Sequence, residues 1–329
     1  MDKILTVSVA AYNVESYIEK CLTPFCNDDV QNRIEVLIID DGATDNTALK
    51  ASEYESSYPN TFKVIHKENG GWGSTVNVAI EKATGKYFKQ LDGDDYYDAD
   101  NLTVFLDALE KTEADLVLTP FIHFVSGTGE IIKKEDPIEQ FKATPYIDYP
   151  ISDIRQEVNI AMHQCTFRTS VLKQNDIRLL EHAFYTDVEL VTKSVYYSKT
   201  VCFLPVTVYC YRTSRTGQSM SLDGVRKHYK EHEKVVLEIA DFLHNNEITS
   251  GLKLSSKRLS EMIYYQYKFY IHLLPTNIHK EELIFFDENL KNHYPEFYGT
   301  TSKMVKALRI SSFFLYRPIC WFKRKEPIL

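Results

Sequence analysis

No two of the six cysteines stand at C-x-x-C spacing, and none has a histidine at zinc-site distance, so neither a redox pair nor a structural zinc is expected. Cys21, Cys26, Cys165, Cys202, Cys210 and Cys320 read instead as core thiols of a reducing compartment. No apolar run reaches the length that spans a bilayer. The opening MDKILTVSVAAYN enters a strand-like segment at once, without the charged, apolar, small-residue progression of a secretory signal, so a cytoplasmic location is expected. Basic charge is also short: 38 Lys and Arg against 46 Asp and Glu give a net charge of −8, which argues against a nucleic-acid partner held through backbone phosphates. What is present is ample apolar material, 44% of 329 residues, enough for a full α/β core and a second, smaller unit.

The runs ILTVSVA (4–10) and IEVLII (34–39) have the β-branched, unbroken apolar character of strands buried on both faces. Between them Val14, Ile18 and Leu22 recur at four-residue spacing and predict a helix. A third strand is expected at FKVIH (62–66). After it come GGWG, a helix carrying Val76, Ile80 and Ala83 that stops at Gly85, and a strand KYFKQL (86–91). Leu102, Leu106 and Leu109 mark another helix, and ADLVLTPFIHF from 114 begins another strand. This alternation predicts a doubly wound, mostly parallel sheet with helices on both faces over about 1–220, followed by a mainly helical region, 221–329. Ligands of such sheets bind beyond the carboxyl ends of the strands, where Asp40-Asp41-Gly42 and Asp92-Gly93-Asp94-Asp95 both fall.

The second of these clusters sits in KQLDGDDYYDAD (89–100), with five aspartates in twelve positions. Asp98 and Asp100 are explained by the turn and the start of the next helix. Capping needs one carboxylate, so the surplus at Asp92 and Asp94, with Asp95 adjacent, calls for a cation: Mg²⁺ or Mn²⁺ held with positions left open for a diphosphate. A calcium EF-hand fails for want of its glycine and late glutamate. A haloacid-dehalogenase-like Asp-x-Asp would sit on the first strand, whereas this one follows three.

Taken in order, SVAAYNVESYIEKCL, EVLIIDDGATDNT, KENGGWGSTVNVAIEKATGKYFKQLDGDDYYDADNL and YTDVELV resemble the family 2 glycosyltransferases of GT-A fold, in particular bacterial enzymes that build surface polysaccharides. The resemblance is strong over roughly residues 4 to 125 and fair to about 220. It implies a metal-dependent, inverting glycosyltransferase of the hexosyltransferase type, with a nucleotide-sugar donor, UDP-linked, and a glycan or lipid-linked acceptor. By position, the backbone at Ala10 and the ring of Tyr12 match the loop that holds the base, Asp41 the aspartate on uracil, and Asn77 a residue of the nucleotide-binding helix. Asp92 and Asp94 match the Asp-x-Asp for ribose and metal, and Asp187 the general base. These roles make chemical sense: a carboxylate accepts an imide N–H, Tyr12 offers a stacking face, and an inverting transfer needs a base on the acceptor side.

Plainer readings stay beside these. Asp41 also suits a simple turn, and Thr186 with Glu189 suits a capping box that would make Asp187 only a first-turn charge. Trp72 suits either the donor-sugar pocket or packing under its loop, and His163 either a core position or an acceptor contact. Two departures from the family pattern count: Val76 stands where many relatives carry arginine before Asn77, and Thr186 where a glutamate often precedes the base. Diphosphate neutralisation then falls to Arg212, Arg215 or His228, with Glu181 and Glu189 as alternative bases. Rival functions are a nucleotidyltransferase making nucleotide sugars, disfavoured because AAYNVES has neither glycine nor a basic residue, and a non-catalytic glycan-binding protein of the same fold.

Residues 303 to 325 carry seven basic residues and no acidic one around ISSFFLYRPICWF. A peripheral contact with the inner face of the cell membrane and a packed last helix with a solvated basic tail both fit this pattern, and Pro318 argues against one continuous helix.

Overall fold

The computed structural model describes residues 3–213, 222–299 and 302–323. The chain divides into two compact units, one of Met1–Arg215 with Thr249–Gly251 and one of Thr216–Ile248 with Leu252–Leu329. Among the described residues no helix is long and apolar enough to cross a membrane.

The first unit is built on strands β1 (Leu5–Ala11), β2 (Ile34–Asp40), β3 (Phe62–His66) and β4 (Tyr87–Asp92), which lie parallel in the order β3-β2-β1-β4. Leu5, Val7 and Val9 of β1 and Val36 and Ile38 of β2 are completely buried, as unbroken apolar runs require, each contributing roughly 1.5–3 kcal/mol of burial. Helix Thr47–Ser57 connects β2 to β3 and Trp72–Lys82 connects β3 to β4, while Ala99–Lys111 follows β4, with Asp98 capping it through the Asp100 N–H. Val14 does not join a long helix: the helix is only Ile18–Leu22, linked to Val14 by the Ile18 N–H to Val14 O bond and followed by a 3₁₀ turn carrying Pro24.

Beyond β4 the sheet turns mixed. With β5 (Tyr96–Tyr97), β6 (Leu116–Leu118), β7 (Phe121–Val125), β8 (Ile131–Glu135), β9 (Asp148–Pro150), β10 (Cys165–Arg168), β11 (Thr200–Phe203) and β12 (Tyr209–Thr213) in place, the large sheet continues as β4-β10-β6-β11-β9. There β10 runs antiparallel to both neighbours. The segment from 114 is two strands, not one. Pro120, with no N–H to donate, separates β6 from β7, and β7 enters a second sheet ordered β5-β12-β7-β8. This small sheet, absent from the sequence reading, brings β12 to the residues that follow β4.

The second unit is helical, with long helices Leu222–Asn245, Leu252–His272 and Asn277–His293. Its core holds Val235, Val236, Ile239, Ile263, Tyr267 and Phe286, and a buried bond joins His232 Nδ1 to Gln266 Oε1 at 2.6 Å. Basic residues 303–323 form two helices, Lys303–Ile310 and Tyr316–Lys323. The break falls at Ser312 and Phe313, both at positive φ, while Pro318 is accommodated in the first turn of the second helix.

Candidate active site

Strand register places the two acidic clusters on either side of β1. Ala11 pairs with Asp40 and Ala10 pairs with Asp92, so both carboxyl-terminal strand ends open beside the end of β1. Tyr12, the next residue, is about half exposed there. Gly93 is pressed against β1: its N–H bonds Ala10 O at 3.0 Å, and a Cβ would stand 2.8 Å from that same oxygen. Only glycine allows the acidic loop this approach.

The loop is braced from β12. The buried carboxylate of Asp95 accepts from Tyr209 Oη at 2.8 Å and from the Arg212 N–H at 2.6 Å. Arg212 Nε donates to Asp94 O at 2.6 Å, and its guanidinium lies over the rings of Tyr17 and Phe124. Arg212 is thus a buried brace of the loop, which differs from the diphosphate cation expected of it. Burial pushes the Asp95 carboxyl well above the usual carboxylate range, and the charges of Asp94 and Asp92 push it further. Three carboxylates in mutual electrostatic reach are relieved by a cation.

The donor set fits one. Carboxylate oxygens of Asp92 and Asp95 and a ring nitrogen of His163 lie within 4.8 Å of one another. Oxygen ligands with one imidazole suit Mn²⁺ or Mg²⁺ more than a soft metal. His163 stacks on Phe121 at 4.9 Å and meets the rings of Tyr209 and Tyr211, and its Nδ1 is buried without a hydrogen-bond partner. Burial, with the neighbouring charges of Lys89 and His123, holds its pKa down to about 3, so the imidazole is neutral and able to ligate. His163 therefore sits under the acidic loop, nearer the metal question than the acceptor contact expected of it.

The GGWG loop connects the clusters. Asp41 Oδ1 accepts from Lys67 Nζ (2.7 Å) and the Gly70 N–H (2.9 Å), and Oδ2 accepts from the Gly71 N–H (2.9 Å). Gly71, at φ 82°, turns the chain so that both N–H groups meet one carboxylate. Trp72 Nε1 then donates to Asp92 Oδ1 at 2.7 Å, so its indole ties the loop to the acidic cluster. Asn77 does not offer its side chain to a ligand as expected. It is buried, with Nδ2 donating to Leu179 O (2.9 Å) and Glu181 Oε1 (3.3 Å) and Oδ1 accepting the Leu179 N–H (2.8 Å). Gly70 O accepts the His182 N–H, and a Cβ on Gly73 would collide with Leu180 O. Residues 179–182 are therefore docked on the loop, just before the helix Thr186–Tyr197 that bears Asp187.

The capping box does not form. The residue before the helix is Tyr185 at φ 69°, the Thr186 hydroxyl is buried without a partner, and Glu189 points elsewhere, taking the Leu180 N–H (3.0 Å) and Lys193 Nζ (2.7 Å). That buried ion pair also removes Glu189 as an alternative base, while Glu181 is exposed. Asp187 is half-buried in the first turn. Burial raises the pKa of the Tyr211 phenol, and the charges of Asp95, Asp92, Asp94 and Asp187 raise it further. His228 belongs to the second unit, where its ring pairs with Glu231 at 2.7 Å. Arg215 lies outside the described residues.

Sequence reasoning missed Lys89. Fully buried in β4, its ammonium donates to His163 O (3.0 Å) and Cys165 O (2.9 Å), fixing the backbone at His163 and just after it. The signal was a charge inside an otherwise buried strand. Burial pushes Lys89 down from its ordinary 10.5 to about 7. Between these values the unfolded chain binds the proton that the folded chain has released, so the stability gained from this residue rises with pH. The unfolding free energy of the wild type from urea titration should gain on that of Lys89→Met between pH 7 and 9, by up to about 1.4 kcal/mol per pH unit. A constant difference across that window would contradict the assignment.

The profile of the family described as Glycosyl transferase family 2 matches residues 6–175. Poly(ribitol-phosphate) beta-N-acetylglucosaminyltransferase TarS of Staphylococcus aureus is 27% identical over 66% of this chain and 36% of its own length. The chain spans only part of the length of the curated relatives it matches, 60%, 36% and 34% in three of them. In three dimensions it is similar to residues 1–349 of Staphylococcus aureus TarS in complex with UDP-GlcNAc, with a TM-score of 0.64, 22% identity, and coverage of 98% of this chain and 89% of that one. It is also similar to the mannosyltransferase PcManGT of Pyrobaculum calidifontis in complex with GDP-Man and Mn²⁺, with a TM-score of 0.56, 15% identity, and coverage of 100% and 85%. At these identities the structural likeness shows the fold alone.

Proposed function

The chain belongs to glycosyl transferase family 2, and on that premise we infer that it is a divalent-metal-dependent, inverting enzyme that moves a sugar from a nucleotide donor to a hydroxyl of a glycan or lipid-linked acceptor. The observation that carries this reading is the gathering of Asp92, Asp95 and His163 beside the buried rings of Tyr209 and Tyr211 at the carboxyl end of β4. The UDP-GlcNAc held by the staphylococcal neighbour supports a uridine donor, and the Mn²⁺ of the archaeal one supports a divalent cation.

In this reading the base lies at the end of β1, against the Ala10 backbone and the exposed ring of Tyr12. Asp41 acts chiefly by shaping the GGWG loop, since its oxygens already accept from Lys67, Gly70 and Gly71. Trp72 orients Asp92, and Asn77 holds the segment that leads to Asp187. Asp92, which meets the ribose side, would hold the cation together with the neutral imidazole of His163 and with Asp94, while Asp95, whose carboxylate also lies in that group, anchors their loop. A divalent cation bound there offsets the charge that grows on the departing nucleoside diphosphate. Asp187 takes the acceptor hydroxyl's proton as the new bond forms on the face opposite the leaving group.

Calorimetric titration with UDP tests the nucleotide half. Binding should tighten at least about tenfold when Mn²⁺ is present, because the carboxylates otherwise repel the diphosphate. Equal affinity in Mn²⁺ and in chelator would overturn the metal assignment.

A further inference from the structure

The two terminal helices sort their residues by face. Helix Lys303–Ile310 buries Val305 and Leu308, and helix Tyr316–Lys323 buries Tyr316 and Cys320. Arg309 is turned inward: its Nε meets Asp287 Oδ1 at 2.6 Å and its guanidinium stacks 3.5 Å from the centre of the Tyr298 ring. Between the helices, Ser312 and Phe313 take φ of 46° and 61°; Phe313 is buried and Phe314 is left outside. Ile310 (87% exposed), Phe314 (80%), Trp321 (71%) and Phe322 (68%) stand in solvent. Lys303, Lys306 and Arg317 are exposed in the same stretch. Arg317 also reaches Asn277 Oδ1 at 2.9 Å, next to Ile278, which is 67% exposed.

Single exposed apolar residues are ordinary, but this group is dense and aromatic, and no acidic residue stands between 303 and 325 in a chain of net charge −8. Aromatic rings and arginine are common at protein interfaces as well, but lysine is depleted there, and two of the three exposed cations, Lys303 and Lys306, are lysines. Aromatic rings beside lysine and arginine suit the headgroup level of a bilayer, where the rings enter the apolar boundary and the cations meet lipid phosphates. We propose that the exposed faces of helices Lys303–Ile310 and Tyr316–Lys323 form a peripheral docking surface for an anionic lipid bilayer. Phe314, Trp321 and Phe322 enter the headgroup region, and Lys303, Lys306 and Arg317 face the lipid charge. This surface stands on exposure and charge, independently of the transferase reading.

Co-sedimentation of the full chain with vesicles tests it. The wild type should pellet with phosphatidylcholine vesicles containing about a third phosphatidylglycerol, and stay in solution with phosphatidylcholine alone. The combined variant Phe314→Ser, Trp321→Ser, Phe322→Ser should lose at least about tenfold in partitioning. Lys303→Gln, Lys306→Gln, Arg317→Gln should lose about fivefold per charge removed. Both variants should keep wild-type circular dichroism and UDP binding, and if the aromatic variant misfolds, the charge variant carries the test. Three results would overturn the proposal: wild type left in solution with anionic vesicles, a folded variant of either kind that pellets like wild type, or a wild-type dimer that the aromatic substitutions dissolve.

Discussion

Asp94→Asn should lower sugar transfer by about 10²–10³-fold, the scale of losing one electrostatic contact to a developing charge, and should abolish the Mn²⁺ dependence of UDP binding. Asp94 is the informative position because it is the second carboxylate of the Asp-x-Asp, whereas its neighbours hold named partners through their side chains. Asp92 holds the Trp72 indole, and Asp95 holds Tyr209 and the Arg212 backbone. At Asp94 the bond from Arg212 goes to the carbonyl oxygen, which asparagine retains. The substitution therefore removes a charge while keeping that brace, and circular dichroism and the unfolding midpoint should stay near wild type. Unchanged turnover in a folded Asp94→Asn protein would sink the role assigned to this carboxylate.

Asp187→Asn should separate binding from chemistry: transfer falls by about 10²–10⁴-fold, as expected for a lost general base, with UDP affinity unaltered. The helix start does not depend on a capping box, since Glu189 is committed to Lys193 and the Leu180 N–H and the preceding Tyr185 is left-handed. A first-turn carboxylate is worth only about 0.3–1 kcal/mol to its helix, so the variant should fold. Single-turnover transfer measured beside UDP titration makes the distinction. Parallel loss of affinity and folding would return Asp187 to a structural part.

The parallel half of the large sheet was legible because β1 and β2 are buried on both faces and read as mostly apolar, β-branched runs, and β4 follows a helix signal even though Lys89 and Gln90 interrupt its apolar residues. Their ends, and so the meeting of Asp40 and Asp92 beside β1, followed from alternation alone. Asp98 was legible as a cap because an N-cap bond spans two residues. The small sheet was not: β5 is two residues long, and β8, IIKKE, is mostly exposed and shows no alternation. The Thr186–Glu189 pattern misled because a tertiary partner, Lys193 with the Leu180 N–H, recruits Glu189 away from the helix start. Tyr209, Tyr211 and Lys89 entered the site only through pairings distant in sequence, β12 with β5 and β7 and Lys89 with the carbonyls of His163 and Cys165. Arg212 was singled out as a cation, but its backbone N–H, stacked guanidinium and bond to Asp94 O made it a brace.

The most direct test of the whole assignment is a panel of nucleotide sugars incubated with the full chain, Mn²⁺ or Mg²⁺ and a glycan or lipid-linked acceptor, with release of nucleoside diphosphate followed over time. Asp92 and Asp94 as the metal carboxylates and Asp187 as the base predict metal-dependent, acceptor-stimulated diphosphate release from a uridine donor. Pyrophosphate released from sugar phosphate and nucleoside triphosphate, or no product from any donor with a folded, UDP-binding protein, would contradict it.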